Sequence, residues 1–426
     1  MPRAKKRKEK PQGAPPSVVP VLQKFLKTYQ KHCVQSGTSL CPTIQRDLKN
    51  SIDREQILRK FTLVRAGDTT ASHPPVSLEP LLMAIRDERY TLGRELCLWG
   101  LQLTNPEIAR LALFLESKRH TICPVTTLEI INCKMDLWSL GRLGRALQFS
   151  SLYFLALDYC KFGDKELESI FSGLENNQRL QGLSLRYCGL RPQSGLRLGS
   201  VISQSAVCQL HLDGNDLQCS GTLALLRPIA EYAEMQRKDQ PASASPHTGN
   251  LPLLPQVCGG GSSTLSQIAK SSDAVPVKRT SQRRRGERGM RKKVNRLMEA
   301  GPWVVTLHLA DNSIDRTGVE GEQLLELTRT LTRLIKYSPH LREMDLGNNV
   351  LGEAAAVDIL EALRARKTGK LPPLKITVTP RISSDTFTSI WKHSKKSNRT
   401  RKRKKKVNSL LSGWLSSSHQ GALDEA

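Results

Sequence analysis

The sequence predicts an α/β solenoid in which short strands and helices alternate along the chain. One leucine-rich phrase recurs with the spacing L-x-x-L-x-L-x-x-(N/C)-x-L. Four consecutive copies place equivalent leucines at Leu128, Leu155, Leu183 and Leu210, so neighbouring copies are 27 or 28 residues apart. The segments between copies carry apolar residues at helical spacing. A strand-and-helix unit of this length can bury its apolar face only by stacking on its neighbours.

The clearest copy of the phrase is LQGLSLRYCGL, residues 180–190, whose leucines follow neither a strand period nor a helix period throughout. A weak copy, RELCLWGLQL, precedes the array, and a degraded one, LPPLKITVTP, closes it. The intervening copies read TTLEIINCKM, LYFLALDYCKF, VCQLHLDGNDL, VVTLHLADNSI and LREMDLGNNVL. This consensus and this period are those of the leucine-rich repeat.

The asparagine or cysteine of each copy has a predicted structural role. The two leucines of each xLxL strand point into the stack, and the chain then bends, so that backbone N–H and C=O groups face the interior. A buried amide or thiol at the bend can bond them, which avoids a cost of about 1–3 kcal/mol for each unpaired group. A metal-binding or redox-active column of thiols is the alternative. The predicted ladder consists of Cys133, Cys160, Cys188, Asn215, Asn312 and Asn349.

The segments that return the chain from one strand to the next read as helices. They include PEIARLALFLESKR, DKELESIFSGLENN, GEQLLELTRTLTRLIKY and GEAAAVDILEALRARK. With the 28-residue period and the alternating use of Asn and Cys, these long helices resemble the ribonuclease-inhibitor-like class of leucine-rich repeat proteins over roughly residues 90–235 and 300–380. The resemblance implies a right-handed solenoid with parallel strands on the concave face and helices on the convex face. It also implies a protein-binding, non-catalytic role.

The layout divides the chain into six predicted regions. They are a disordered basic N-terminus (1–16), a helical N-terminal cap (17–89), a first repeat block (90–235), a disordered basic insertion (236–300), a second repeat block with a C-terminal cap (301–391) and a disordered basic tail (392–426). The cap is predicted to hold two helices, at 18–33 and 43–64. An array interrupted late by a basic insertion resembles the leucine-rich repeat-containing protein 71 group, which implies an axonemal or ciliary setting.

The net charge of +26 is concentrated outside the repeats. Residues 3–10, 278–296 and 392–406 carry net charges of +5, +9 and +10, and the remainder is close to neutral. We expect these basic arms to attach to an acidic protein surface or to nucleic acid. A nuclear import signal and a solvated tail without a partner are the alternatives for the C-terminal arm. A nuclear or nucleic-acid-associated protein dominated by its tails is therefore the rival interpretation.

Several classes of function find no support in the sequence. The N-terminus lacks a secretory signal, no apolar run is long enough to span a membrane, and the ten cysteines form no CxxC pair. We therefore predict an intracellular protein of the cytoplasm, cilium or nucleus, with free thiols. No nucleophile motif, paired-carboxylate motif or cofactor fingerprint is present. We expect a monomer that is not an enzyme and needs no cofactor.

Side chains that alternate with the inward leucines should face solvent and form the partner-binding surface. Aromatic residues and arginine flanked by acids are typical of binding hot spots. A solvated polar face, with Arg186 paired to acidic neighbours, is the alternative. If the insertion loops out, His211 and His308 become neighbours, and Asp213 or Asp345 could complete a metal site. The predicted surface consists of Trp99, Glu129, Asp158, Tyr159, Arg186, Tyr187, His211, Asp213, His308 and Asp345.

Overall fold

A computed structural model of the chain describes residues 18–65, 74–116, 124–175, 177–238, 302–315 and 321–394. The chain divides into one unit made of Met1–Glu234 with Gly301–Ala426, and a second unit made of Met235–Ala300. Of the second unit only Met235–Lys238, the end of a helix, is described. The predicted basic N-terminus (1–16), nearly all of the insertion (236–300) and the tail from residue 395 lie outside the described residues.

In the described residues, nine parallel strands form one open sheet, and their order in the sheet is their order in the chain. The register joins equivalent leucines, so that Leu155 lies opposite Leu183 and Leu183 lies opposite Leu210. The strands are β1 (Lys60–Val64), β2 (Glu95–Trp99), β3 (Thr127–Ile131), β4 (Phe154–Ala156), β5 (Gly182–Ser184), β6 (Gln209–His211), β7 (Thr306–His308), β8 (Glu343–Leu346) and β9 (Lys375–Val378).

Helices connect the strands and cover one side of the sheet. The described residues form α1 (Val19–Gln35), α2 (Pro42–Asp53), α3 (Glu79–Asp87), α4 (Asn105–Glu116), α5 (Leu137–Leu147), α6 (Asp164–Leu174), α7 (Pro192–Gln204), α8 (Gln218–Lys238), α9 (Gly321–Tyr337), α10 (Gly352–Thr368) and α11 (Ser384–Ser394). The strand leucines Leu128, Leu155, Leu183 and Leu210 are fully buried beneath them. This arrangement confirms the predicted leucine-rich repeat solenoid. The solvent-facing side of the sheet is called the concave face below.

The sheet continues across the long gap between the two repeat blocks. β6 pairs directly with β7, with Leu210 opposite Leu307 and His211 opposite His308. The sequence separation of these partners therefore leaves the register of the inward leucines intact.

The N-terminal helical region ends earlier than predicted, and the prediction for its end was wrong. The predicted helix over residues 43–64 ends at Asp53, and Lys60–Val64 form β1, whose Phe61 pairs with Leu96 of β2. The segment FTLV alternates half-buried and buried residues, which is the strand period. Because this segment lacks the repeat phrase, it was not predicted as a strand. The sheet therefore begins one strand earlier than predicted. Helices α1 and α3 pack together, and α2 packs against this first strand.

Two neighbouring helices approach closely at glycines. A Cβ on Gly144 of α5 would collide with the backbone oxygen of Ser169 in α6, and one on Gly173 would collide with the backbone of Gly144. Gly141, one turn earlier in α5, has no atom closer than Ser169 Oγ at 4.0 Å. Gly144 and Gly173 therefore have no room for a side chain, whereas Gly141 has room for a methyl group.

Gly144 and Gly141 give a matched pair of stability tests. We expect Gly144→Ala to lower the free energy of unfolding by about 1–3 kcal/mol, because the added methyl group forces the helices apart. Gly141→Ala should instead raise it by about 0.5–1 kcal/mol, because alanine is the better helix former. Urea unfolding followed by circular dichroism measures both. A stabilising Gly144→Ala would contradict the close helix contact.

No helix among the residues that the structure describes combines the length and apolarity needed to cross a membrane.

Candidate functional site

The predicted ladder residues are all buried. Cys160 and Cys188 are at most 1 % exposed, and Asn312 is fully buried. Each ladder side chain donates to the carbonyl of the second inward residue of the preceding repeat. Examples are Cys188 Sγ to Leu157 O at 2.9 Å and Asn349 Nδ2 to Leu309 O at 2.8 Å. The column therefore links every repeat from β3 to β8 with the one before it.

Asparagine makes more of these links than cysteine. Asn215 Oδ1 also accepts from the backbone N–H groups of Cys188 and Leu190, at 3.0 and 3.1 Å. Asn349 repeats the pattern with Asn312 N and Ile314 N. A thiol has no comparable acceptor. Asn215 and Asn349 are thus bonded through both ends of the amide. Asn312 is bonded through Nδ2 only, and among the described residues its Oδ1 has no hydrogen-bond partner. The cysteine repeats are bonded through their sulfur donor.

The thiols of this column have the properties of structural cysteines. Burial raises the pKa of Cys160 to about 12, and it also raises the pKa values of Cys133 and Cys188 above that of an ordinary thiol. Because the thiolate is the reactive form, these groups are chemically quiet at neutral pH. The described cysteines are free thiols. These findings give no support to the alternative of a redox column.

The residue directly before each ladder residue adopts a left-handed backbone conformation. At this place φ is 59° at Tyr159 and 55° at Tyr187. Glycine and asparagine are the residues that tolerate this region best, whereas a bulky residue there is uncommon. In the other repeats the place is held by Gly100, Asn132, Gly214, Asp311 and Asn348.

The two tyrosines lie together at the edge of the concave face, and we call them the tyrosine shelf. Their rings stack with centroids 4.7 Å apart and planes within 8°, and their residues are 51 % and 41 % exposed. The ring of Tyr187 rests over Gly214, where a Cβ would collide with it. The stack therefore has one covered end and one open end.

A charged row crosses the middle of the concave face. Arg186 Nε donates to Asp213 Oδ2 at 2.9 Å, and Arg186 Nη1 lies 4.0 Å from Asp158 Oδ2. Asp213 Oδ1 accepts from the backbone N–H of Ala310 at 3.0 Å. The guanidinium is thus held in place between two carboxylates while part of it remains exposed.

Asp158 differs from the prediction that it faces solvent. It is only 8 % exposed, and its Oδ1 accepts from Ser184 Oγ at 2.6 Å and from the backbone N–H of Arg186 at 3.0 Å. Its carboxylate accepts hydrogen bonds from two donors at the bend of the next repeat. Asp158 therefore positions Arg186 from below and is removed from the candidate partner surface.

His211 and His308 are adjacent across the β6–β7 pair. Their Nδ1 atoms lie 3.1 Å apart, and Arg186 Nη2 lies 3.0 Å from the same Nδ1 of His211. Because a guanidinium only donates, His211 Nδ1 accepts, and the ring is neutral with its proton on Nε2. His308 Nδ1 also lies 3.8 Å from Asp213 Oδ2, and its Nε2 lies 3.6 Å from Glu343 Oε1.

The surroundings of these histidines move their pKa values apart. Burial, together with the charges of Arg186 and His308, lowers the pKa of His211 to about 4. Asp213, followed by the charges of Glu343 and Asp345, raises the pKa of His308. His211 therefore destabilises the fold as pH falls from about 6.5 to about 4, because the unfolded chain binds the proton that the folded one refuses. The contribution of His308 is complete below about pH 6.5 and is lost as pH rises through its folded pKa.

This arrangement predicts two separate titrations. We expect the ring protons of His211 to titrate at about pH 4, and those of His308 above the pH at which an unperturbed histidine titrates. Asp213→Asn should lower the pKa of His308, because the neutral amide no longer stabilises its charge. An NMR titration of the imidazole signals measures both. Two histidines titrating together near pH 6.5 would contradict the geometry.

The remaining predicted residues lie on either side of this centre. Trp99 is 51 % exposed and lies opposite Ile131 in the register, while Glu129 is paired with Lys60 at 2.9 Å. Asp345 is half-buried and accepts from the backbone N–H of Gly347 at 2.9 Å. Within the part of the chain that is described, no group of three or more histidine, cysteine or acidic side chains could hold a metal ion. His211 and His308 with their acidic neighbours therefore do not form such a group.

Some residues of this surface were missed by the sequence analysis. Phe154 lies over Gly182, with its ring centroid 6.5 Å from that of His211. Lys161 and Arg191 line a groove of about 700 Å³ beside the tyrosine shelf. They follow the ladder residue by one and three places, so the repeat register itself could have located them.

Comparison with known proteins shows similarity to a protein named for its leucine-rich repeats and to a ribonuclease inhibitor. No model of a known protein family matches the chain. It is 23% identical over 256 residues to mouse NACHT, LRR and PYD domains-containing protein 5, which covers 58% of this chain and 20% of that protein. It is 26% identical over 275 residues to pig ribonuclease inhibitor, which covers 63% of this chain and 55% of the inhibitor. The chain thus spans about a fifth and about half of the lengths of these two relatives.

Proposed function

We propose that the chain is a non-enzymatic scaffold that holds a protein partner on its concave face. The basic arms at 278–296 and 392–406 would add a salt-sensitive attachment to an acidic surface. The axonemal or ciliary setting implied by the repeat layout belongs to this proposal, as does the monomeric state.

One observation carries this proposal: exposed aromatic rings lie beside an arginine that two carboxylates hold in place. Tyr159 and Tyr187 are each about half exposed, and the neighbouring Arg186 is fixed by Asp158 and Asp213. Trp99, three strands away in the sheet, is also about half exposed. Aromatic and arginine side chains dominate the binding energy of protein interfaces, and fixed side chains lose little entropy on binding. The relative called ribonuclease inhibitor acts, by its name, on another protein. Likeness to it supports a binding role without indicating the same target.

The test compares partner capture by matched variants of the full chain. Arg186→Ala should change the free energy of unfolding by about 1 kcal/mol or less, because the side chain is partly exposed, yet it should weaken capture. Proximity labelling or pull-down is compared between the wild type, Arg186→Ala and Trp138→Ala. Trp138 is 48 % exposed on helix α5, away from the sheet. A protein lost with Arg186→Ala and kept with Trp138→Ala supports the proposal, whereas equal capture by all three contradicts it.

The second candidate is a nuclear or nucleic-acid-associated protein, which the charge of the basic arms favours. Deleting 278–296 and 392–406 and repeating the capture across salt concentrations separates the two. Interactions that survive both deletions support the scaffold. If deleting the arms abolishes all interactions, the result supports the rival.

A further inference from the structure

The tyrosine shelf keeps two bulky residues in a backbone region that disfavours them. A non-glycine residue at such a φ is commonly retained for function, because the strain must be offset by other contacts. Asn132 and Asn348 occupy the same place in other repeats with φ of 51° and 55°. Asparagine would therefore satisfy the fold at Tyr159 and Tyr187. The tyrosines add two stacked and exposed rings that the fold does not need.

The open end of the shelf faces a groove. Consecutive repeats place Asn132, Tyr159, Tyr187 and Gly214 in one row, and Tyr187 covers Gly214. The free face of Tyr159 is therefore the one toward Asn132, and both residues line the groove of about 700 Å³. A flat ring from a partner can stack there at the same spacing as the two tyrosines.

The charge of the groove is positive. Its charged lining residues are Lys161 and Arg191, both exposed, and its described lining includes no acidic residue. Neither cation forms an ion pair with another described residue. A partner group that lies in the groove therefore meets two cations and an aromatic face, with the Glu166 carboxylate against the groove-lining Gly163.

Resting on the proposed function, we propose that this groove binds an acidic peptide segment of the protein partner. A proline or aromatic ring of the segment lies on Tyr159, and its carboxylates pair with Lys161 and Arg191. The adjoining concave face carries Asp213 and Glu129. Arg186 and Lys60 pair with these carboxylates, so an anionic group is drawn to the two groove cations. Because the proposed scaffold holds a protein, we assign that group to a peptide, and nucleic acid is the rival that the experiment tests.

The experiment measures the anisotropy of a fluorescein-labelled peptide with the repeated sequence Glu-Pro-Tyr-Glu, added to the full chain. Three proteins are compared with the wild type: Lys161→Glu/Arg191→Glu, Tyr159→Asn/Tyr187→Asn and the control Arg364→Glu/Lys367→Glu. The control changes the net charge by the same amount at two exposed positions of α10. It therefore isolates the groove from the general attraction of the basic arms.

We expect both groove variants to weaken binding about tenfold or more, which corresponds to about 1.4 kcal/mol. The control should bind like the wild type. The asparagine variant should melt within about 3 °C of the wild type, because relief of strain offsets the lost stacking. A peptide with Gln in place of Glu should bind weakly to every protein.

Three outcomes would overturn the inference: equal weakening by the control, equal binding of the Gln peptide, or stronger binding of a short oligothymidylate at the groove than of the acidic peptide. Failure of the groove proposal can be told from failure of the scaffold proposal by testing the same variants for capture of the partner found in the pull-down. Loss of that partner with Arg186→Ala but not with Lys161→Glu/Arg191→Glu leaves the scaffold standing and removes the groove.

Discussion

Replacing Leu183 by alanine is expected to lower the free energy of unfolding by about 2–5 kcal/mol. Leu183 is fully buried, and its strand neighbours in the register are Leu155 and Leu210. Removing its side chain leaves a cavity between three repeats that are each tied to the next by the ladder. The surrounding backbone can relax only partially, because Cys188 and Asn215 fix the bends on either side.

Urea unfolding measures this effect, and Leu196→Ala is the matched control. Leu196 is 70 % exposed on α7, so the same truncation there should change the stability by about 0.5 kcal/mol or less. Equal losses in the two variants would show that the inward and outward side chains of this repeat have been exchanged.

Replacing Arg366 by alanine is expected to cost about 3–5 kcal/mol, since it would leave several buried carbonyls without a donor. Arg366 is 2 % exposed and donates to the carbonyls of Ile335, Ser338, Leu341 and Pro372, at 2.7 to 2.8 Å. Ile335 lies in the last turn of α9 and Ser338 directly follows its end, where a helix presents unpaired acceptors and a cation is favourable. Burial lowers the pKa of Arg366 to about 10, so the side chain keeps its charge at neutral pH.

Arg364→Ala, at an exposed position on the same helix, is the control and should change the stability by about 0.5 kcal/mol or less. Arg366→Lys should be intermediate, because one ammonium group cannot reach carbonyls on both sides of the guanidinium. Thermal unfolding of the three variants provides the comparison. If Arg366→Ala is as stable as Arg364→Ala, the bonded carbonyls are satisfied in another way.

The repeat phrase predicted most of the sheet because its leucine spacing encodes which side chains point inward. β2 to β9 all fall on copies of the phrase. In the degraded last copy the expected register was wrong by two residues, because Met344 of β8 pairs with Ile376 and not with Leu374. α9 begins and ends where its apolar pattern does. β1 was missed because FTLV has alternation but no ladder residue, and an apolar run next to a helix reads equally well as its continuation.

The candidate site was harder to predict because its properties depend on contacts between repeats. The neighbourhood of Tyr159 and Tyr187 follows from sequence register, but their left-handed backbone and their parallel stacking do not. Asp158 reads as an outward residue by alternation, yet it is buried because the next repeat offers a backbone N–H and a serine hydroxyl. The buried position of Arg366 likewise depends on carbonyls contributed by α9 and the segment after it.

The direct pairing of β6 with β7 has a consequence for how the array assembles. Each other pair of adjacent strands closes a chain segment of one repeat, whereas this pair joins His211 to His308, 97 residues further on. The longer closure costs about 1 kcal/mol more in chain entropy, because that cost grows with the logarithm of length. In a one-dimensional array, cooperativity is transmitted only through such neighbouring contacts. We therefore expect the first block to complete its folding before the second docks at the seam between β6 and β7, and we expect the array to part first at this seam under mild denaturation.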